Sequence, residues 1–590
     1  MSFRSAIIIL TVSLLWSCAQ QGSPSGGPRD EDPPVVLESI PPNYSTRFEA
    51  KKITLTFDEY VVLDNVNQEL IVSPPMEEKP QVKLRGKKLI IDFEEDLKDS
   101  TTYTFNFGSA IKDLHEGNIL LNYEYVFSTG DRLDSLSVKG ILQYAENLTR
   151  PSEPVTIMLY EDLNDSVPLK DIPLYVGRSD DSGVFSVNNL KADTFKVFAL
   201  KDGNYNLLYD LPTEEIAYLD SSLWVDATFI NSLMDARPFD STFATADTSG
   251  MPTDSLQGGP DYNSIYIDLL LFLEDVETQY LKEDQRDDRR KILFSFARPL
   301  TDSFSYRFLG MDGERTPDVL EVFSARKDSL TLWLKDSLDY KNDSLFIALN
   351  YTAKDTIDRF VTRTDTMLMT FREKSDKKKK EKEPEAEKLS ISTIRAKGTL
   401  DLNTHLRMEF NVPLETFADT LIRLWQIPDS VELEIPFRTR VDSMVPTWGW
   451  IETDWESNSS YHLQMLPGAA KAIYELEQDT LDLVFQTRDM EYYGKILLSL
   501  EGVSGPVIIQ LTSKEKVVRE EKVNEDGLCT FPYLLPGDYG IKIIHDRNNN
   551  GRWDTGKYLE KRQPEPVEIL NKSVTVRSNW DHEVSMILKK

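Results

Sequence analysis

The chain is poor in cysteine, in histidine and in positive charge. Its 98 acidic residues against 67 basic ones give a formal net charge of −31, which argues against nucleic-acid binding because that needs clustered positive charge. The five histidines never stand at i, i+4 spacing, so a zinc site built from histidines is not expected. After the N-terminal segment, no run is long and apolar enough to predict a transmembrane helix.

Recognisable catalytic motifs are also missing from the sequence. It holds no G-x-S-x-G elbow, no H-E-x-x-H and no phosphate-binding loop, and Cys529 has no recognisable histidine partner motif. Carboxylate pairs are so frequent in this acidic chain that they carry no information. We therefore expect a protein that is not an enzyme.

The N-terminal residues carry a targeting signal. Arg4 is followed by an apolar run over residues 6–16, which is shorter than the ~20 residues of a membrane span and is typical of a signal peptide. The sequence Leu-Trp-Ser-Cys that ends at Cys18 resembles the lipobox of bacterial lipoproteins. This resemblance implies that residues 1–17 are removed and that Cys18 is lipidated. The alternative is an ordinary signal peptide in which Cys18 is incidental.

Lipidation of Cys18 would leave Cys529 without a disulfide partner, so each domain must be stabilised by its own core. Residues 18–33 are rich in Gly, Pro, Ser and Gln and predict a flexible tether. Ala19 after the cysteine favours the outer membrane, where the lipid would anchor the protein. The chain would face either the periplasm or the cell surface, and these alternatives stay open.

Three regions repeat one order of short β-type runs. Their opening runs, which place a Phe before a turn, are ITLTFDEYV (53–61), ILFSFARPL (292–300) and LRMEFNVPL (406–414). Their closing runs are YEYVFSTG (123–130), LMTFREK (368–374) and LVFQTRD (483–489). Asp58 and Asn411, which follow the Phe, are expected to form Asx-type turns. The regions resemble SbsA-type bacterial Ig-like domains of Bacteroidota-type lipoproteins, which implies β-sandwiches at 34–130, 263–373 and 389–490.

Residues 181–210 and 525–554 form a second kind of repeat. Each has a D-x-G turn, an aromatic strand, a tight connection and a strand that runs into an Asp/Asn-rich loop. The order resembles prealbumin-like sandwiches, such as the regulatory domain of carboxypeptidases, which implies such domains at 131–230 and 491–590. Residues 231–262 and the charged run 374–388 are predicted linkers.

The predicted fold class is therefore all-β: a tandem array of Ig-like and prealbumin-like β-sandwiches behind a lipoprotein signal peptide. The helical candidate at residues 274–290 lies at a domain edge, and its alternative is a hairpin.

The loop DRNNNGRWD has the spacing of an EF-hand-like calcium loop. Calcium prefers six to eight oxygen ligands, and this spacing folds several around one centre. Lys557 replaces the bidentate Glu at position 12, and Glu560 is the nearest acid that could reach back. The expected affinity is about 10⁻⁴–10⁻³ M. The alternative is a loop whose side chains cap their own backbone. The candidate ligands are Asp546, Asn548, Asn550, Arg552 through its carbonyl and Asp554, with a weaker copy at Asp202, Asn204, Asn206 and Asp210.

Asp-Ser or Asp-Thr followed by an apolar residue recurs along the chain. The pattern resembles the O-glycosylation acceptor of exported Bacteroidota proteins, and its alternative is a turn before a strand. The acceptors would be Ser135, Ser255, Ser329, Ser337, Ser344, Thr356, Thr366, Thr420, Ser430, Ser443 and Thr480.

Trp448 and Trp450 stand two apart on a predicted strand and so share one face. Such a pair is more often core than a platform for stacking a ligand.

We expect a non-catalytic, lipid-anchored cell-envelope protein that acts as a modular scaffold, adhesion or partner-binding rod. Its partners would be the membrane and other envelope or surface proteins or polysaccharide. One alternative is a carbohydrate-binding accessory lipoprotein that uses Trp448 and Trp450. The other is an enzyme with an unrecognised carboxylate site in a domain cleft.

Overall fold

The computed structural model describes residues 30–228, 263–275, 278–310, 317–355, 359–372, 388–393 and 399–589. Cys18, most of the tether and nearly all of both predicted linkers lie outside the described residues. Strands far outnumber helical turns in the described part and are arranged in β-sandwiches, which confirms the predicted fold class. It divides into two compact units, one ending at residue 271 and the other comprising 272 onward together with residues 145–148.

The strands of the first two sandwiches are β1 (Val36–Ile40), β2 (Lys52–Phe57), β3 (Val61–Leu63), β4 (Ile71–Ser73), β5 (Gln81–Arg85), β6 (Lys88–Asp92), β7 (Thr102–Asn106), β8 (Ile111–Asp113), β9 (Glu124–Ser128), β10 (Leu136–Tyr144), β11 (Thr156–Tyr160), β12 (Tyr175–Ser179), β13 (Val184–Leu190), β14 (Asp193–Lys201), β15 (Glu215–Tyr218), β16 (Leu223–Val225) and β17 (Ser264–Leu273). The described helices are single turns: α1 (Val66–Glu69), α2 (Val167–Lys170), α3 (Ser337–Tyr340) and the 3₁₀ turns Asp419–Leu421, Pro428–Ser430, Met490–Tyr492 and Tyr558–Glu560.

The strands of the remaining sandwiches are β18 (Leu281–Asp288), β19 (Lys291–Phe296), β20 (Ser305–Leu309), β21 (Val319–Phe323), β22 (Ser329–Leu334), β23 (Ser344–Lys354), β24 (Phe360–Thr370), β25 (Ile391–Thr393), β26 (Thr399–Leu400), β27 (Leu406–Phe410), β28 (Leu414–Phe417), β29 (Ile422–Gln426), β30 (Leu433–Glu434), β31 (Arg438–Val441), β32 (Trp448–Glu452), β33 (Ser460–Met465), β34 (Ala470–Ala472), β35 (Leu481–Thr487), β36 (Gly494–Glu501), β37 (Val507–Ser513), β38 (Lys516–Val523), β39 (Gly527–Leu534), β40 (Gly537–His545), β41 (Val567–Ile569), β42 (Val574–Val576) and β43 (Asp581–Ile587).

The three Ig-like regions share one topology. One sheet has the order β1-β2-β6-β5 in the first region, β18-β19-β22-β21 in the second and β25-β27-β32-β31 in the third. The facing strands are β4-β7-β9, β20-β23-β24 and β29-β33-β35. The strands β2, β19 and β27, which contain the repeated Phe motif, therefore occupy equivalent central places, and the closing runs form the equivalent strands β9, β24 and β35.

The sequence predicted that the polar residues after the repeated Phe form local turns. Their side chains instead bond to residues far away along the chain. Asp58 Oδ1 accepts a hydrogen bond from the backbone N–H of Val35 at 2.8 Å, and Asn411 Oδ1 accepts one from Ser390 at 3.0 Å. Ala297 stands at this place in the second Ig-like region. The Asp and Asn side chains therefore hold the chain that enters the sandwich against its central strand.

The second and last sandwiches share most of their strand pairings, although the β12–β13 pairing occurs only in the second, which is a single eight-stranded sheet closed on itself, whereas the last has two sheets. β10 to β17 and β36 to β43 follow the same pairing scheme, in which the first and fourth strands are antiparallel and the fifth pairs with the second, sixth and seventh. In both, the first strand also pairs in parallel with the eighth, as β10 with β17 and β36 with β43. The repeat seen in the sequence thus extends over eight strands.

This pairing corrects one predicted boundary. The sequence placed residues 263–273 at the start of the second Ig-like region, but β17 is the eighth strand of the second sandwich. The intervening segment hides this relation, because the seventh strand ends at Val225 and strand-like sequence resumes only at Ser264. The alternatives for residues 274–290 are also decided for the described part: β18 and β19 form an antiparallel hairpin, not a helix.

Each sandwich has its own hydrophobic core between its sheets. In the first, Phe48 stacks on Phe127 with ring centroids 3.8 Å apart, and Tyr103 stacks on the same ring at 5.4 Å. Burying a large apolar side chain contributes about 1.5–3 kcal/mol, so a core of a dozen such residues can hold a sandwich without a covalent link.

The Gly140→Ala variant tests the parallel closure of the second sandwich. A Cβ at Gly140 would lie 1.8 Å from the carbonyl oxygen of Ile267 on β17 and 2.7 Å from the Phe185 ring. We expect a loss of about 1–3 kcal/mol or more in the free energy of unfolding, because either β17 or the core must move. Hydrogen exchange should rise in β10 and β17.

Gly505→Ala is the matched control, since nothing lies within 4 Å of a Cβ there. Unchanged exchange in the Gly140→Ala variant would contradict the close approach of β10 and β17.

Candidate functional site

Two loops with the predicted cation-loop spacing stand at equivalent places in the duplicated sandwich. One begins at Asp202 directly after β14, and the other begins at Asp546 directly after β40. Since β14 and β40 are the fifth strands of the two copies, the shared topology places both loops at the same end of their sandwiches.

The last loop is folded around Asp546, whose side chain is buried. Its carboxylate accepts hydrogen bonds from the backbone N–H groups of Asn550 at 2.9 Å and Gly551 at 2.7 Å. The side-chain amides of Asn548 and Asn550 donate to Asp554 Oδ2 at 2.5 and 2.6 Å. Gly551 has φ of +80°, the left-handed conformation for which glycine is suited. These bonds form the arrangement given as the alternative to a calcium loop, in which the side chains cap the backbone of their own loop.

The earlier loop has the same internal bonds. Asp202 accepts from the backbone N–H groups of Tyr205 at 2.7 Å and Leu207 at 2.8 Å, and the amides of Asn204 and Asn206 donate to the Asp210 carboxylate. Leu207 stands where the last loop has glycine and has φ of +61°. This conformation is strained for a residue with a Cβ, which agrees with the earlier loop being the weaker copy.

A buried glutamate that the sequence pattern missed closes each loop. Glu565 accepts from the backbone N–H groups of Arg547 at 2.7 Å and Asp554 at 3.1 Å. Glu214 makes the equivalent bonds to Gly203 and Asp210, both at 3.1 Å. The two glutamates are 6% and 1% exposed. Because the chain between loop and glutamate differs in length, a fixed spacing cannot find them; their shared signal is an acid just before β15 or β41.

Glu560, which the sequence suggested as the acid that reaches back, does not do so. Its carboxylate pairs with Lys557 Nζ at 2.7 Å and is 54% exposed. Glu565, and not Glu560, is therefore the acid beyond the predicted spacing that contacts this loop.

The electrostatics of the last loop suit a cation. Burial raises the pKa of Glu565, the carboxylates of Asp554 and Asp546 raise it further, and the two N–H donors only partly oppose this. Asp546, Asp554 and Glu565 are thus close enough to interact electrostatically, and carboxylate oxygens are ligands that calcium prefers. The loop is nonetheless held by its own hydrogen bonds, and the described residues contain no cluster of three or more His, Cys, Asp or Glu arranged around an ion position.

Trp448 and Trp450 lie on the outer face of β32, so the expectation that they are core residues is wrong. Both are half-buried and alternate with buried neighbours. The Arg407 guanidinium lies 4.1 Å from the Trp448 ring centroid, and that of Arg440 lies 5.6 Å from the Trp450 centroid. Trp450 Nε1 donates to Asp442 at 3.0 Å. The indoles are thus engaged by neighbouring side chains, which leaves less ring surface for stacking a sugar.

The predicted glycan acceptors differ in accessibility. Those exposed are Ser135, Ser344, Thr366, Thr420, Ser443 and Thr480, and Ser329 and Ser337 are half-buried. Ser255, Thr356 and the side chain of Ser430 lie outside the described part of the structure. The exposed sites lie in turns or at strand ends, except Thr366 within β24.

Cys529 has no features of an activated nucleophile. Burial raises the pKa of its thiol to about 11, so the thiolate is scarce at neutral pH. Over the described residues, none of the helices is long and apolar enough to cross a membrane.

Residues 30–129 match the family described as Bacterial Ig-like domain. This match covers the first sandwich. No curated protein sequence matches the chain.

Solved structures that match the chain have very low sequence identity to it and low TM-scores. The MG0-NIE-MG1 fragment of Escherichia coli alpha-2-macroglobulin is 8% identical, with 50% of this chain and 97% of that chain covered and a TM-score of 0.18. Titin domains A168–A170 are 9% identical over 46% and 93%, with a TM-score of 0.14. BcpA, the major pilin subunit of Bacillus cereus, is 8% identical over 77% and 99%, with a TM-score of 0.15. At these values, function must be argued from the residues of the chain itself.

The Trp450→Ala variant distinguishes a structural indole from a ligand platform. We expect the third Ig-like sandwich to lose about 1–2 kcal/mol in free energy of unfolding, because the variant removes a cation–π contact and a hydrogen bond to a carboxylate. Urea unfolding measures this loss, and hydrogen exchange in β31 and β32 shows where it occurs.

Val484→Ala, at a 64% exposed position of the same sandwich, is the control. Glycan-array binding by the parent that disappears in Trp450→Ala would instead support the carbohydrate-binding alternative.

Proposed function

We propose that the chain is a non-catalytic, lipid-anchored cell-envelope protein that acts as a modular scaffold for adhesion or partner binding. The observation that carries this proposal is that neighbouring sandwiches within each unit are joined by specific, partly buried contacts. Such contacts hold domains at set positions, which a scaffold requires.

In the first unit, the first and second sandwiches are joined by side-chain contacts. Ser73 Oγ accepts a hydrogen bond from the backbone N–H of Val176 at 3.0 Å. Arg178 donates to the carbonyl of Gln68 at 2.8 Å, and its guanidinium lies 3.6 Å from the Glu69 carboxylate. The Arg178 guanidinium on β12 thus contacts helix α1 of the first sandwich. These contacts resist rotation of one sandwich against the other.

In the second unit, Asp401 joins the third Ig-like sandwich to the last sandwich. Its buried carboxylate accepts from Arg488 Nε at 2.7 Å and from the Tyr493 hydroxyl at 3.2 Å. The same hydroxyl accepts from the backbone N–H of Leu402 at 2.9 Å. Tyr493 directly precedes β36 of the last sandwich. Its hydroxyl therefore bonds the segment that connects the two sandwiches to the third Ig-like sandwich.

The second and third Ig-like sandwiches also meet through a built contact. Tyr474 donates its hydroxyl proton to the carbonyl of Leu334 at 2.9 Å, and the Arg290 guanidinium lies 4.2 Å from its ring centroid. Each junction within this unit therefore has at least one charged or hydrogen-bonded anchor.

Lipidation at Cys18 and location at the outer membrane are part of this proposal. The argument for them is the N-terminal sequence, because Cys18 lies outside the described residues. Partners would be other envelope or surface proteins or polysaccharide, bound at sandwich edges and end loops. Glycans on the exposed acceptors would add to the mass of the exported protein.

Calcium at the last loop is a second proposed property, favoured by the closing Glu565 and its raised pKa. Asp546, Asn548, Asn550, Arg552, Asp554 and Glu565 would hold the ion. The ion would cross-link the loop between β40 and β41 and so stiffen the last sandwich.

The Asp401→Ala variant tests the scaffold junction. Removing one partner of a buried pair leaves Arg488 uncompensated, and we expect a cost of about 3 kcal/mol. Hydrogen exchange should rise in residues 488–494 and in the third Ig-like sandwich near Leu402. Asp454→Ala, at an exposed site of the same sandwich, should change neither. Equal exchange in both variants would contradict a fixed junction.

Metabolic labelling with a clickable fatty acid tests the anchor. The parent should incorporate label and partition with outer membranes, and Cys18→Ala should do neither because no other residue is proposed to carry lipid. Surface labelling of intact cells then decides between the periplasmic and surface orientations. Label retained by Cys18→Ala would refute the anchor.

Calorimetry with calcium tests the last loop. We expect a Kd of about 10⁻⁴–10⁻³ M, lost from this loop in Asp546→Ala/Asp554→Ala and in Glu565→Ala. Affinity should fall as the pH falls through the raised pKa of Glu565, because the protonated carboxyl cannot ligate.

Without calcium, the raised pKa means that the folded state holds the Glu565 proton more tightly than the unfolded state. The last sandwich should therefore lose stability as the pH rises above about 4.3 through that pKa. Glu560→Ala is the matched control and should keep calcium binding. If titration of the parent protein with calcium gave no heat, the proposed site would be refuted.

A further inference from the structure

The outer face of one sheet of the first sandwich is basic, in a chain whose formal net charge is −31. The register of β2, β6 and β5 aligns Lys52 with Asp92, and aligns Lys88 with Arg85, while Ile90 is aligned with Lys83. The alternate residues of β2 and β6 are buried in the core, so these side chains share the outward face. We call the four exposed cations Lys52, Lys83, Arg85 and Lys88 the basic face.

The negative charge on this face is smaller than the positive charge. Asp92 pairs with Lys83 at 3.4 Å, and Glu38 of β1 is aligned with Thr56, in the same row as Lys88 and Arg85. Two acids against four cations leave a net positive surface, and Lys51 and Lys87 are exposed at its border.

An open pocket of about 400 Å³ adjoins the basic face. Ile40, Pro41 and Ala50 supply its apolar lining, and Lys51 and Lys52 stand at its rim with Asp92. Ile40 is 54% exposed although it belongs to β1. Ammonium groups beside an exposed apolar floor suit a ligand that carries a phosphate next to an apolar part.

We propose that the basic face docks on anionic phospholipid headgroups of the membrane that carries the anchor. This inference rests on the proposed lipidation, because Asp30, where the described chain starts, is twelve residues after Cys18. Twelve residues span at most ~40 Å, at ~3.3–3.6 Å each, so the first sandwich must stay close to the lipid.

The route of the chain also favours a membrane over a distant polymer. The described chain runs from Asp30 directly into β1, which is the edge strand of the same sheet that bears the basic face. A lipid anchor combined with a basic patch is the two-signal arrangement that gives stable membrane association. An anionic membrane would repel the acidic surfaces and attract this one, so the face would orient the first sandwich.

Vesicle flotation of the non-lipidated chain from Ala19 onward tests the face apart from the anchor. We expect binding to phosphatidylcholine vesicles that contain phosphatidylglycerol, no binding to phosphatidylcholine alone, and loss in 1 M salt, where the Debye length is about 3 Å. Reversing Lys52, Lys83, Arg85 and Lys88 to Glu should lower partitioning at least ~10-fold.

The matched control reverses Lys341, Arg423, Lys516 and Lys572, four exposed cations outside the first sandwich, to Glu. It changes the net charge equally and should keep binding within about threefold. No binding by the parent, or equal loss in both variants, would overturn the proposal. Binding to alginate or dextran sulfate but not to vesicles would overturn it in favour of a polysaccharide. Lipidation of Cys18 is measured in a separate experiment, so failure of the lipid anchor and failure of membrane docking by the basic face can be distinguished.

Discussion

Burial of alternate strand residues between two sheets is the interaction on which every sandwich in this chain depends. Cys529 is the only cysteine after Cys18, and it is free. Within the described residues no disulfide therefore limits the unfolded state, and there the cores must provide the stability. Large aromatic residues such as Phe127 and Phe294 are accordingly fully buried in these cores.

The duplicated eight-strand sandwich shows how topology places a candidate site. The first and eighth strands pair in parallel in both copies, so the loop after the fifth strand opens at the same end. Glu214 and Glu565 come to the same position although their distances from the loop along the chain differ. The last loop keeps Gly551 at its left-handed position, whereas the earlier loop has Leu207 there. The same strand pairings thus carry two loops that differ in backbone strain at this position.

Charge is distributed unevenly in this acidic protein, and the distribution matters more than the total. A net charge of −31 keeps the surface hydrated. On the third Ig-like sandwich, Arg407 and Arg440 are used to cover indole rings. On the first sandwich, the cations of the basic face are left facing solvent. Identical residue types therefore have different roles that only their neighbours reveal.

The sequence by itself determined the all-β class, the Ig-like and duplicated repeats and the spacing of the cation loops, because these follow from alternation and short-range turn chemistry. Only the tertiary structure decided that β17 belongs to the second sandwich and that Glu565 closes the last loop. It alone also placed Trp448 and Trp450 outside the core. Those facts depend on which distant strands pair and which face of a strand is covered, and a local pattern does not contain that information.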